Sequence, residues 1–573
     1  MPYQRLLLFF IGVLLSITGS AQQYAYQVSF ADKKGSPSIT NPSAFLSARA
    51  LNRRAAQGIA IDSTDVPVSP VYIDSVLTLT GGVFHETSKW LNMCVVLVRD
   101  TNVIAPLRTL SYITDVRLVG CYVHGLHNRV PPPLANNGQP QISLAKTTGN
   151  SWEYGQAYIQ TLLVNGDYLH DNGYKGEGKL IAVIDAGFQE ADTHPGFDSV
   201  RTSGGFVDTH NFVLDTGFVF GYSPHGLGTL STMAGNMPGG VGSDTGYVGS
   251  APHAQYALYI AQDDNEEPLL LDNLVAATER ADSIGADVIS VSLGFDLFDG
   301  TANDLDCFFS GFHFSTDFDG KSTIAARAAN MATKKGMLYV ASAGNEGTGV
   351  PGWGNYILTP GDADSAMTVG AVGMNGTCAA FSGYGPNAAG QVKPDVCLLG
   401  VSAAMFYPGG IIGKQDGTSF STPQLAGWAA CLWQAVGNTT SPYTIRKLIS
   451  QSADHYSTPG PQIGYGVPDF RKALQQALGV SELHNTLTTP TWVLAENPFS
   501  TAIHLILNAV FKSDVDFILT DLSGKKIVSN TQTFYQEQNT RISLPVPGNL
   551  SSGIYILHVV SAGQQQVLKM VKE

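Results

Sequence analysis

The sequence predicts an α/β protein whose central domain is a parallel sheet covered by helices on both faces, with a small α+β domain before it and a β-sandwich after it. Three observations carry this. Between about residues 154 and 478, short apolar runs such as LIAVI (180–184), ADVISVS and LYVASA alternate with helical stretches, the pattern of strands buried on both faces. Upstream, VYIDSVLTLT, LNMCVVLVRD, TNVIAPLRTL and ITDVRLVG alternate helix-like with strand-like periodicity. Beyond Ser481 the helical period disappears, and short alternating segments (AIHLIL, DVDFILTDL, RISLPV, GIYILHVV) are separated by NP, SG and PG turns. A chain of 573 residues is also too long for a single core.

Residues 1–21 contain one arginine, an apolar run from Leu6 to Leu15 and small residues at Gly19 and Ala21, the layout of a secretory signal cleaved after Ala21. That run is too short to anchor in a membrane, and no later stretch is long and apolar enough to span one. The first domain and its linker occupy 22–140, the linker being PPPLANNGQP at 131–140. The central domain takes 141–478, with AQYALYIA (254–261) and AMTVGAV as further strands and helices around 269–284 and 322–335. The all-β domain takes 479–573.

Charged residues make up 14% of the chain and the formal net charge is −14, so no broad basic surface exists to neutralise phosphates and nucleic acid is excluded as a partner. Export permits disulfides among the six cysteines (94, 121, 307, 378, 397, 431), with no pairing distinguishable. Cys397 and Cys431 sit in apolar surroundings that suit buried thiols. No CxxC pair or Cys/His spacing suggests zinc, no GxSxG elbow is present, and HETSK at His85 lacks the second histidine of a zinc helix.

Four residues stand at ends of predicted elements in the central domain. Asp185 closes the strand of IAVIDAGF, where a carboxylate emerges at the carboxyl edge of the sheet. His225, in SPHGLGTLSTMAG, stands at a helix start. Ser419, in DGTSFSTPQLAGWAACLW, also stands at a helix start, where a nucleophile gains backbone donors and the favourable end of the dipole. Asn345, in LYVASAGNEG, follows a strand and has an amide that can donate to an oxyanion. Singly, each has a plain structural use: a turn aspartate, a structural histidine, an N-cap serine, a turn asparagine. Their joint occurrence in the order Asp, His, Asn, Ser points to catalysis.

These segments resemble the subtilase family of serine peptidases. The likeness covers about 154–478 and includes KGEGKLIAVIDAGF, ISVSLG, AMTVGAV, FSGYGP and KPD before GTSFSTP. It implies a subtilisin-like fold and a secreted endopeptidase with Asp185, His225 and Ser419 as triad and Asn345 in the oxyanion hole. It also implies that Ser292, Leu293 and Gly294 form an edge strand pairing with a peptide substrate, with Ser342, Ala343 and Gly344 lining the first specificity pocket. No cofactor is required for the chemistry, while structural calcium is a family habit with no ligands assignable here.

Residues 22 to about 129, with FLSARALNRRAAQGIAI and SKWLN, resemble the propeptide region of Bacteroidetes subtilases. The tail, with ENPF, TDLSGKK, SGIYIL and KMVKE, resembles a type IX secretion sorting domain and implies that machinery as a partner, with an extracellular or surface-attached product. Two departures motivate a rival reading as a catalytically weakened surface binding protein: Ala186 stands where many members carry a hydroxyl, and Leu227 where threonine usually follows HG.

Overall fold

The computed structural model describes residues 23–122, 154–238, 246–262, 269–295, 315–347, 357–478, 491–493, 499–509, 513–534, 538–561 and 564–572. The predicted signal (1–21), the 131–140 linker and Cys307 lie outside the described residues.

The first domain consists of β1 (Gln23–Phe30), α1 (Ala48–Ala56), α2 (Pro70–Thr80), β2 (Val83–Ser88), β3 (Met93–Val98) and β4 (Ile113–Tyr122). Its four strands make one antiparallel sheet in the order β2-β3-β1-β4. Ser69 caps α2 by accepting from the Tyr72 amide, Pro70 opens it, and Gly81 at φ 60° ends it. TNVIAPLRTL, helix-like in pattern, forms a 3₁₀ helix over Thr101–Thr109, because Pro106 inside it has no N–H for an α-helical ladder.

The central domain runs α3 (Tyr158–Leu162), α4 (Asp167–Asp171), β5 (Leu180–Asp185), α5 (Asp198–Thr202), β6 (Phe206–Asn211), α6 (His225–Ala234), the short pair β7 (Asn236–Met237) and β8 (Tyr247–Val248), and β9 (Gln255–Ile260). It continues through α7 (Leu270–Ile284), β10 (Val288–Val291), α8 (Ile324–Lys334), β11 (Leu338–Ser342), β12 (Met367–Val372) and β13 (Val396–Leu399). A hairpin of β14 (Ala403–Tyr407) and β15 (Ile411–Gln415) precedes α9 (Thr418–Val436), α10 (Pro442–Ser452) and α11 (Phe470–Leu478). Seven strands form one parallel sheet in the order β13-β12-β11-β10-β5-β9-β6.

Side chains of β5 alternate between two cores. Ile181 and Val183 face the layer containing Leu230, Leu425 and Trp428, while Leu180, Ala182 and Ile184 face Leu274, Ala277 and Ala325. Helices therefore cover both faces, as the continuous apolar strands require. From β5 the chain builds β6 and β9 on one side and then crosses to β10 on the other. The carboxyl ends of β5 and β10 thus flank the switch point where such sheets bind ligands.

The tail adds β16 (Thr491–Val493), β17 (Ala502–Ala509), β18 (Ser513–Asp521), β19 (Lys526–Phe534), β20 (Gln538–Pro545), β21 (Gly553–Ser561) and β22 (Gln564–Lys572). Two antiparallel sheets, β16-β17-β20 and β19-β18-β21-β22, enclose one core: Ile503, Leu505, Ile542 and Leu544 meet Phe517, Leu519, Leu557 and Met570. Cys94, Cys378, Cys397 and Cys431 are free thiols, and burial pushes Cys397 and Cys431 well above the ordinary thiol range.

The first domain is seated on α7. One face of β3 (Val95, Leu97) packs with Leu269, and polar groups then line the junction: Gln27 donates to Asp272 at 2.6 Å and the Ser88 hydroxyl to Glu279 at 2.6 Å. At its centre the Asp282 carboxylate, wholly buried, accepts from Arg53 at 2.5 Å, Arg54 at 2.7 Å and Lys89 at 3.3 Å. Burial alone would raise the Asp282 carboxyl, but Lys89, Arg53 and Arg54 outweigh it and hold the group well below the usual carboxylate range. Arg54 also reaches Asp65 at 2.9 Å, which in turn takes Lys335 from the central domain at 2.8 Å.

Removing one member of a buried ion network leaves the others without counter-charge, at a cost of about 3–5 kcal/mol. Arg54→Ala is therefore expected to weaken the seating of the first domain by about that much. Urea denaturation of the full chain should show a lowered midpoint, and an unchanged midpoint would mean that the network contributes nothing to the junction.

Candidate active site

Asp185 is the last residue of β5 and has no solvent exposure. A buried carboxylate requires converging donors. Its Oδ1 accepts from the Ala186 amide at 2.8 Å and bonds His225 Nδ1 at 2.6 Å, and its Oδ2 accepts from the Thr229 hydroxyl at 2.9 Å. His225 opens α6, its amide donating to the Ser223 hydroxyl at 3.2 Å, and its side chain remains about one third exposed. A half-open imidazole tied through Nδ1 to a buried carboxylate is suited to moving a proton at its other nitrogen.

Ser419 is the second residue of α9, and the cap position is Gly417, so the plain use as an N-cap serine does not hold. The amide of Ser419 is among the helix donors that lack an intrahelical partner. Its hydroxyl donates to the Ser292 carbonyl at 3.4 Å, while the Ser292 hydroxyl donates to the Ser419 carbonyl at 2.9 Å, joining the start of α9 to the end of β10. The Phe420 ring lies 6.0 Å from the His225 ring, so the two helix starts meet.

Asn345 is exposed just beyond β11. Its side-chain oxygen accepts from the Thr418 amide at 2.9 Å and the Thr418 hydroxyl at 3.0 Å. The oxygen is thus committed to Thr418, the residue before Ser419, and the same side chain retains its NH2 group as a donor.

Ser292, Leu293 and Gly294 are not an edge strand of the sheet. They run on past the end of β10, an interior strand between β5 and β11, because the hydrogen bonding of β10 to both neighbours is complete by Val291. The Ser342 hydroxyl donates to the Leu293 carbonyl at 3.3 Å, holding this run beside Ser342, Ala343 and Gly344. Gly344 sits at φ 95°, a conformation that favours glycine. Leu358, buried, faces both Gly294 and Gly344 and so floors the space between the two runs.

Leu358 and Thr229 escaped the sequence reading. Thr229 had a legible signal, since it stands four residues after His225 on one helix and so shares its face. Leu358 had none, because it follows a segment with no periodic pattern. Leu227 is fully buried in the core beneath α6. Among the described residues no group of three or more His, Cys, Asp and Glu is arranged to hold a metal ion, and no helix is long and apolar enough to cross a membrane.

Comparison with known proteins agrees with this geometry. Residues 176–468 match the model of the subtilase family (peptidase S8), residues 25–129 that of the peptidase S8 propeptide domain of Bacteroidota, and residues 497–573 that of the secretion system C-terminal sorting domain. Among curated relatives, the thermophilic serine proteinase of Bacillus sp. (strain AK1) is 31% identical over 357 residues, covering 62% of this chain and 75% of that one. Subtilisin BL of Lederbergia lenta is 28% identical over 272 residues, covering 47% and 82% of the two chains. Subtilisin DY of Bacillus licheniformis is 29% identical over 294 residues, covering 51% and 89%.

The turn that presents His225 leaves no room for a side chain at Gly226, where a Cβ would collide with the Gly187 carbonyl oxygen and lie 2.9 Å from the Phe188 ring. Gly226→Ala is expected to cost about 1–3 kcal/mol of stability through overpacking. Gly294→Ala, whose new methyl would meet Leu358 at an ordinary 3.4 Å, should leave the melting temperature nearly unchanged. Thermal unfolding of both variants checks the contrast, and equal melting temperatures would contradict it.

Proposed function

The chain belongs to the subtilase family of serine endopeptidases and carries the sorting domain of an exported protein, and from that premise we propose that it cleaves peptide bonds through Asp185, His225 and Ser419 by way of an acyl-enzyme. The observation that carries the reading is the 2.6 Å bond between His225 Nδ1 and the buried Asp185 carboxylate, beside a serine that heads a helix instead of capping it.

In this mechanism His225 removes the Ser419 proton as the hydroxyl oxygen attacks the peptide carbonyl, and Asp185 stabilises the imidazolium without itself taking the proton. The carbonyl oxygen becomes negative in the tetrahedral intermediate, where the Asn345 side-chain amide and the Ser419 backbone amide donate to it. His225 then protonates the leaving amine, and water releases the acyl group by the same steps in reverse roles. The extended substrate lies between residues 292–294 and 342–344, bonded through main-chain groups, with its side chain directed towards Leu358. No cofactor enters these steps.

The sorting domain directs the chain to the type IX secretion machinery, and the propeptide domain assists folding of a parallel sheet that non-local contacts make slow to form. The rival reading as a non-catalytic surface binding protein drew on Ala186 and Leu227. The Ala186 amide still bonds Asp185 and Leu227 is a core side chain, so that reading keeps no observation in its favour.

Ser419→Ala in the processed protein is expected to abolish peptide hydrolysis, and retention of ordinary activity would refute the triad. Asn345→Ala should lower kcat by about 10²–10³-fold, the cost of deleting one such donor in subtilisin, with KM nearly unchanged. A large fall in melting temperature with kcat preserved would make Asn345 a structural residue only.

A further inference from the structure

We propose that Thr229 is a positioning residue for the Asp185 carboxylate, supplying the hydroxyl that the chain lacks at residues 186 and 227. This rests on the triad assignment above. The Asp185 carboxylate has three donors among the described residues, and they are unevenly shared: Oδ1 takes both Ala186 N–H and His225 Nδ1, whereas Oδ2 takes only the Thr229 hydroxyl, at 2.9 Å. Thr229 and Asp185 are both wholly buried, so water does not replace that bond.

The placement follows from helix geometry. Thr229 lies four residues after His225 on α6, so the two side chains project from one face towards the same carboxylate, one onto each oxygen. The Thr229 hydroxyl has a second acceptor within reach, the Gly226 carbonyl at 3.2 Å, but the single proton favours the shorter, charge-assisted bond. Held at Oδ2, the carboxylate cannot rotate about its terminal torsion without breaking a bond, and its Oδ1 stays aimed at Nδ1. Without that donor a buried carboxylate oxygen is left unsatisfied, and rotation that shares Nδ1 between the two oxygens relieves it, tilting the imidazole away from Ser419. Because the loss acts on alignment and not on substrate contacts, it appears in kcat.

The test compares Thr229→Val, which keeps the shape and removes the hydroxyl, with Thr229→Ser, which keeps the hydroxyl and removes a methyl. Peptide hydrolysis by the processed full-length product is measured well below the melting temperature of each variant. Thr229→Val is expected to lose about 10- to 100-fold in kcat with KM within about twofold, and Thr229→Ser to recover most of the loss. Should the valine variant not fold, Thr229→Ala against Thr229→Ser makes the same comparison, since these two differ only in the hydroxyl. Valine or alanine forms with kcat within twofold of the serine form would overturn the proposal. Ser419→Ala run alongside separates the two levels: if it stays active the triad reading itself fails, whereas an inactive Ser419→Ala beside a fully active Thr229→Val defeats only the role of Thr229.

Discussion

The Asp185 carboxylate ends β5, an interior strand of a seven-stranded parallel sheet, and has no contact with solvent. Such a group is tolerated only where donors converge on it, and here they come from three directions: its own next amide, the head of α6 and a hydroxyl one turn along that helix. The position and rotation of α6 are therefore tied to β5. That in turn fixes His225, and the meeting of His225 with Phe420 relates the starts of α6 and α9. The core side chains Leu227 and Leu230 hold α6 from beneath while its polar face supplies the two donors, so packing and chemistry use opposite faces of one helix.

A second buried carboxylate, Asp282 on α7, organises the opposite side of the sheet. Its three cationic partners all come from the first domain, 228 and 229 residues away in sequence for Arg54 and Arg53. Lone burial of such a charge is costly, so the face of α7 presented to the propeptide domain is suited to being covered by that domain, and its release leaves Asp282 to be solvated. The same face also buries Asp272 and Glu279, whose carboxyls burial pushes up, that of Asp272 to about 6. Asp185, His225 and Ser419 lie at strand and helix ends and Asp282 lies in the junction with the first domain, so the two buried carboxylates have separate partners on one sheet.

Much of this was legible in the sequence. Continuous apolar strands betrayed a sheet covered on both faces, and Asp185, His225 and Asn345 could be placed at element ends because strand and helix starts have local signals. Ser419 lies at a helix start, as its sequence suggests, but the second helical residue and the cap share one sequence pattern and are told apart only by where the helix begins. The run 292–294, expected as an edge strand pairing with a peptide substrate, continues past the end of β10 and belongs to no strand of the described sheet; strand order and strand ends are non-local properties that ISVSLG does not reveal. The Arg53, Arg54 and Asp282 cluster was invisible for the same reason, and the 3₁₀ helix over 101–109 shows one proline overriding an otherwise helical pattern.

The central claim is that Ser419 is a nucleophile activated by His225 and Asp185, and the most direct measurement is covalent labelling of the processed protein with a fluorophosphonate, read by peptide mass spectrometry. Stoichiometric modification is expected at Ser419, lost in Ser419→Ala and greatly slowed in His225→Ala, since the hydroxyl is a weak nucleophile without its base. Label on a different serine, or an unlabelled Ser419 in protein that is folded by its melting curve, would contradict it.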